Sequence, residues 1–199
     1  LLAADTFASG RLTNSPHTLW QHFEGMHIIQ QPTYMSKYPP GNPLLLALGQ
    51  VLFGEPIVGA WLSMGLATAA IAWMLRAWLP PYWALLGALI GACRFTPSWG
   101  EMYTSGALAA CGGALMMGAV QRLTVSARPR YALLAAAGAV ILANTRPYEG
   151  LVTAVVCAVF LAWSRPALKP ALTKMAIPAL IVLLPAALTT LPRTSHLTN

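Results

Sequence analysis

Lys37 stands between two tyrosines in YMSKYPPGNPLL (34–45), followed by a rigid Pro39-Pro40-Gly41 step, just where the chain turns almost wholly apolar. A lysine or arginine at such a threshold can neutralise a phosphate. Two other short stretches carry groups of the same kind. PSWGEMY (97–103) offers Glu101 flanked by Trp99 and Tyr103, and NTRPYEG (144–150) offers Arg146 and Glu149 with Tyr148 between them. The first forty residues add Asp5, Arg11, Glu24, His17, His22 and His27. Carboxylates at the edge of an apolar region can hold a divalent cation or take a proton, and the aromatic rings can stack on a sugar or anchor the chain at an interface.

Each group also has a plainer reading. Arg146 and Glu149 are three apart and can pair with each other at a helix end. Trp99 and Tyr103 can be interface anchors alone. The three early histidines recur every five residues, a spacing that does not stack them on one helical face, so they read as scattered surface residues rather than a metal site. Glu55, in a Gly-Glu-Pro turn, reads as a solvated turn residue.

The elements that position these groups follow from composition. Of 199 residues, 57% are hydrophobic and 9% charged, against about 25% charged in a soluble domain. A chain so poor in charge reads as a polytopic membrane protein, with a soluble apolar bundle as the alternative. The net charge of +7 is not gathered on one amphipathic face, so the basic residues read as topology signals rather than a nucleic-acid surface. Cys93, Cys111 and Cys157 lie inside apolar runs at no metal or disulfide spacing and read as small buried hydrophobes.

Charges punctuate the chain at regular intervals. The uncharged gaps 56–75, 77–93, 102–121, 131–145, 150–164 and 175–192 run from 15 to 20 residues, against about 20 needed to cross a bilayer. Six spans are expected, the shorter ones borrowing flanking polar residues. Pro81 and Pro129 suit helix starts, and Pro178 and Pro185 kinks in the last span. PLLLALGQVLF (43–53) is too short to cross and reads as an interfacial or re-entrant helix closed by the Gly-Glu-Pro turn; Leu1–Ser9 reads as a short helix ended by Gly10. GALAACGGALMMGA (106–119) predicts close helix packing through small residues. The resulting organisation is a loop domain (1–55), a membrane bundle (56–192) and a tail (193–199).

If each gap crosses once, one side receives Arg76, Arg122, Arg128, Arg130, Arg165, Lys169 and Lys174 and no acid. The other receives all five acids, all four histidines and Arg11, Lys37, Arg94, Arg146 and Arg193. The positive-inside rule assigns the first side to the cytoplasm. The groups capable of chemistry then share the exoplasmic side.

The run LLAADTFASGRLTN…HFE…QQPTYMSKYPPGNPLLLALGQVLFG resembles the first exoplasmic loop of bacterial GT-C glycosyltransferases. It is closest to the dolichyl-phosphate-mannose-protein mannosyltransferase-like group (glycosyltransferase family 39), which includes the aminoarabinose transferases. There a Lys-Pro-Pro element precedes an apolar helix and a Phe-Gly turn, matched here by Lys37, Pro39, Pro40, Pro43–Leu48 and Phe53-Gly54. WLPPYWALLGALIGACR, SWGEMYTSGALAACGGALMMGA and LANTRPYEGL continue the likeness over most of the chain.

The resemblance implies an all-α, GT-C-like transmembrane bundle in a bacterial inner membrane, with its active face exoplasmic. It implies transfer of a sugar from a polyprenyl-phosphate carrier to a lipid, glycan or protein acceptor. On this reading Lys37 and Arg146 contact the carrier phosphate, and Tyr38, Tyr148 and Glu149 complete the binding set. Glu101 lies near the family's second acidic position and would bind a metal or the acceptor. Ser36 replaces the acid of EKPP relatives, which argues against a metal there. The family's principal aspartate lies in an Asp-Glu pair a few residues before the position matching Leu1. The expected chain is therefore an inactive fragment, with Asp5, about two helical turns later, as a weak substitute, a helix cap or a surface residue. The alternative is a non-enzymatic membrane protein, either transporter- or flippase-like or an inactive scaffold. A transporter should bury charge at mid-span, and no charge falls deep within an expected span. The topology predicts that cysteines placed at 101 and 128 react with an impermeant maleimide from opposite sides of sealed vesicles; labelling from one side refutes it.

Overall fold

Proline sets the start of four helices. Its fixed φ and missing N–H suit the first helical position, where the amide has no intrahelical partner. Residues 1–23, 25–99 and 102–164 are described by a computed structural model of the chain. They form α1 (Leu2–Ala8), α2 (Gly41–Phe53), α3 (Pro56–Leu75), α4 (Pro81–Trp99), α5 (Gly106–Val125), α6 (Pro129–Ala143) and α7 (Pro147–Ser164). Pro81 and Pro129 start helices as expected, and Pro56 and Pro147 do the same. The gap 175–192, with Pro178 and Pro185, lies outside the described residues.

Three of these helices, α3, α5 and α7, are long and apolar enough to cross a membrane. At 1.5 Å per residue, α3 is about 30 Å long, the thickness of the hydrocarbon core. The shorter α6 spans 15 residues. Helix α4 begins four residues later than the charge gap suggested and continues through Arg94 to Trp99. Helix α5 likewise runs past the charge of Arg122, whose guanidinium donates to the carbonyls of Gly118 (2.9 Å) and Trp73 (2.7 Å). A charge thus limits an apolar stretch without ending the helix that carries it.

Helix α5 occupies the centre. Half of its apolar window is buried, against 28% for α3 and 17% for α7. It packs most extensively on α6 and α3. Small residues make the contact close, as 106–119 predicted. A Cβ on Gly138 would lie 2.5 Å from the Gly112 carbonyl oxygen, and one on Gly118 would lie 2.8 Å from the Met74 Cα. Ala67, Ala70, Ala107, Cys111 and Ala114 fill the α3–α5 seam, while Met116, Ala119, Val120, Leu123, Ala135 and Leu142 line the other side. Cys111 and Cys157 are buried, but Cys93 is exposed. The outer faces remain apolar: Leu151, Val152, Val155, Val156 and Val159 of α7 are all more than half exposed. Such a surface suits lipid rather than water.

Helix α2 is closed by Gly54, whose φ of 79° is the left-handed conformation glycine favours. The chain then turns back so that Gly49 and Gly59 let α2 and α3 meet at backbone contact. Helix α1 docks on the same pair through Ala4, Leu46 and Ala60. The segment between α1 and α2 contains a two-stranded antiparallel ladder, β1 (Ile28–Ile29) with β2 (Met35–Ser36), that the all-α expectation did not include.

The predicted consequence of the α5–α6 contact is specific. Gly138→Ala should lower stability by about 1–3 kcal/mol through overpacking, whereas Gly113→Ala, which meets open space, should not. Thermal unfolding in detergent, followed by circular dichroism, separates the two; equal melting temperatures refute the close contact.

Candidate functional site

The start of α2 is where separate loops are fastened together. The Gly41 N–H donates to the Asn144 carbonyl at 2.8 Å. A Cβ on Gly41 would come within 2.6 Å of that same oxygen, so the approach requires glycine. The next residue, Asn42, is buried, and its amide donates to the Tyr103 carbonyl at 2.9 Å. Consecutive residues of the Lys37 stretch thus hold the α6–α7 loop on one side and the α4–α5 loop on the other. Thr145, also buried, satisfies its hydroxyl on the Ile141 carbonyl at 2.7 Å. Gly41 and Asn42 of one stretch, Asn144 of the second and Tyr103 of the third thus meet at one end of the bundle.

Lys37 is positioned by the small ladder. Its backbone N–H donates to the His27 carbonyl at 3.1 Å, extending the Ile28–Ser36 register by one residue. Its side chain is exposed, with no ion pair among the described residues. Tyr38 lies over the His27 ring, centroids 5.5 Å apart, and its hydroxyl is 2.7 Å from His27 Nδ1. The tyrosine's polar tip is therefore already engaged within the loop. The five-residue histidine spacing gave no hint of this contact, because strand pairing rather than helical stacking brings His27 to Tyr38. His17 has a local role, its Nδ1 accepting from the Leu19 N–H at 3.1 Å.

Arg146 and Glu149 form an ion pair of 2.7 Å, with side chains 43% and 62% exposed. The plainer sequence reading of this pair is the one observed. Glu149 lies in the first turn of α7, where the helix dipole favours an anion. Tyr148, 86% exposed, projects outward. Arg146, Glu149, Thr153 and Leu142, with Gly106, Ala109, Ala110 and Gly113 of α5, line an open groove of about 270 Å³. Its lining combines small α5 residues with the charged pair.

The remaining candidates stand apart. The Asp5 carboxylate accepts from Gln50 Nε2 at 3.3 Å. Gln50 lies nine residues beyond Gly41 in the sequence, so at 1.5 Å per residue Asp5 is held roughly 13 Å along α2 from the Gly41–Asn144 contact. Glu101 and Glu24 lie outside the described residues. Among the described residues no three His, Cys, Asp or Glu side chains are grouped to hold a metal ion. Glu55 is exposed at the N-cap of α3.

Asn42 is the residue that sequence reasoning missed. It lies in the first turn of α2, and only the neighbouring loops reveal it as buried. No family model, curated protein or solved structure matches this chain.

Asn42→Leu should leave the Tyr103 carbonyl without its donor, a cost of about 1–3 kcal/mol for a buried polar group. The expected readout is faster amide exchange at 102–106 and at 144–146 in hydrogen-exchange mass spectrometry. Unchanged exchange in both loops would show that Asn42 does not fasten them.

Proposed function

We propose that the chain is part of an integral-membrane glycosyltransferase that moves a sugar from a polyprenyl-phosphate carrier to an exoplasmic acceptor. One observation supports the reading: the Gly41 N–H, bonded to the Asn144 carbonyl, ties the stretch bearing Lys37 to the loop bearing Arg146 at one end of the bundle. The resemblance of KYPPGNPLLLALGQVLFG and LANTRPYEGL to GT-C transferases supports it. In this scheme α3, α5 and α7 cross in one direction and α4 and α6 in the other. The arginine-rich end faces the cytoplasm by the positive-inside rule.

The chemistry divides among the loops. Lys37 and Arg146 stabilise the negative charge that grows on the carrier phosphate as the glycosidic bond breaks. A carboxylate takes the proton of the acceptor hydroxyl, a role for which Asp5, bonded to Gln50 along α2, is badly placed. To meet the phosphate, Arg146 must exchange Glu149 for it. An exposed pair of this kind contributes roughly 0.2–1 kcal/mol, less than the charge-assisted bonds a phosphate offers. The groove beside Arg146 suits the apolar portion of the carrier. Tyr38 and Tyr148 flank the site as surfaces for the sugar.

The test uses the complete reading frame with a polyprenyl-phosphate sugar donor. Lys37→Ala and Arg146→Ala should each reduce transfer on the order of 100-fold, as loss of one transition-state donor does elsewhere. Glu149→Ala, which leaves Arg146 in place, should retain most of it. Unchanged turnover in both cation variants sinks the phosphate assignment, and no transfer by the unmodified frame favours the non-enzymatic alternative.

A further inference from the structure

The opposite end of the bundle carries a second, unrelated cavity. Arg76 is the C-cap residue of α3 and Arg122 lies in the last turn of α5. With Trp73, Ala69 and Ala72 they line an open space of about 610 Å³. The only ion pair among the described residues, Arg146–Glu149, is at the other end. Two cations therefore share a cavity with no carboxylate partner.

Arg122 is held rigidly. Its guanidinium carbon lies 3.9 Å from the centroid of the Trp73 ring, and its two terminal nitrogens donate to the Gly118 and Trp73 carbonyls. Those bonds fix the plane of the group and leave further N–H donors unspent. Arg76 has no side-chain partner among the described residues. The helix C-termini explain a cation at each position. They do not explain why both cations border one open space floored by two alanines.

The surroundings combine aromatic rings with further arginines. Trp78, half exposed, packs against Phe160 with centroids 5.8 Å apart, and Arg130 lies over Tyr131 at 4.8 Å. Aromatic rings with arginines and no acid are the composition found where helices meet lipid headgroups. A guanidinium matches the oxygens of a phosphodiester in a bidentate fashion, and basic pockets between membrane helices recognise anionic headgroups. We propose that this cavity binds the phosphodiester of an anionic membrane lipid, with Arg76 and Arg122 as its ligands and Trp73 as the platform that orients Arg122. The inference depends on the chain residing in a membrane and not on the transferase reading.

The test is native mass spectrometry of the detergent-purified chain titrated with dioctanoyl phosphatidylglycerol, with dioctanoyl phosphatidylcholine and inorganic phosphate as parallel arms. The unmodified chain should retain one phosphatidylglycerol in preference to phosphatidylcholine. Arg76→Gln should weaken that retention about tenfold, the scale of one hydrogen bond to a charged group, with an unchanged circular dichroism spectrum. Arg130→Gln, outside the cavity, should bind as the unmodified chain does. Equal retention of the two lipids, or unimpaired binding by Arg76→Gln, overturns the proposal. Phosphate binding as tight as that of phosphatidylglycerol overturns the lipid assignment in favour of a free anion.

Discussion

The backbone contact between α5 and α6 at Gly112 and Gly138 is the constraint on which the rest of the structure depends. In lipid, apolar side chains gain little by leaving one hydrocarbon environment for another, so helices associate through packing. Small residues permit that packing at its closest. The same principle acts at Gly118 against Trp73 and Met74, and at Gly49 against Gly59. Helix α5 thereby becomes a shared wall for α3, α6 and α7, while Leu151, Val152, Val155, Val156 and Val159 of α7 face outward.

Close packing at α5 also fixes what happens at the two ends. With α6 held against α5, its C-terminal residue Ala143 delivers Asn144 to the amide of Gly41. With α2 held against α3, Gly41 and Asn42 stand where both neighbouring loops can be bonded. The loops that carry Lys37 and Arg146 are thus positioned by helix contacts about two turns away. At the other end, the parallel run of α3 and α5 sets Trp73 beneath Arg122. A charged residue is accommodated inside a helix there because backbone carbonyls and an aromatic face replace the water it would lose.

The ends differ in charge chemistry. One combines Lys37, Arg146 and Glu149 with exposed tyrosines and an open groove. The other gathers Arg76, Arg122, Arg128 and Arg130 with half-buried aromatics and no ion pair among the described residues. An end with both signs of charge can hold an anion and also release it, because competing partners are present. An end with cations alone attracts a standing anion, and the two proposals divide along that difference.

The sequence by itself determined the helical class, the apolar stretches, the proline starts, the small-residue seam and the separation of basic residues from acids along the chain. These are local properties: hydrophobicity, proline geometry and glycine content act within a few residues of where they are written. The short distance between Arg146 and Glu149 made their pairing legible too. Only the tertiary structure decided that Asn42 is buried, that His27 engages Tyr38, that Asp5 turns to Gln50 and that Arg122 lies on Trp73. Those contacts join residues brought together by strand register or by helix faces, and no spacing in the chain encodes which faces will meet. The physical reason is that the α5 seam selects its partners by shape, so the loops inherit their neighbours from packing rather than from their own composition.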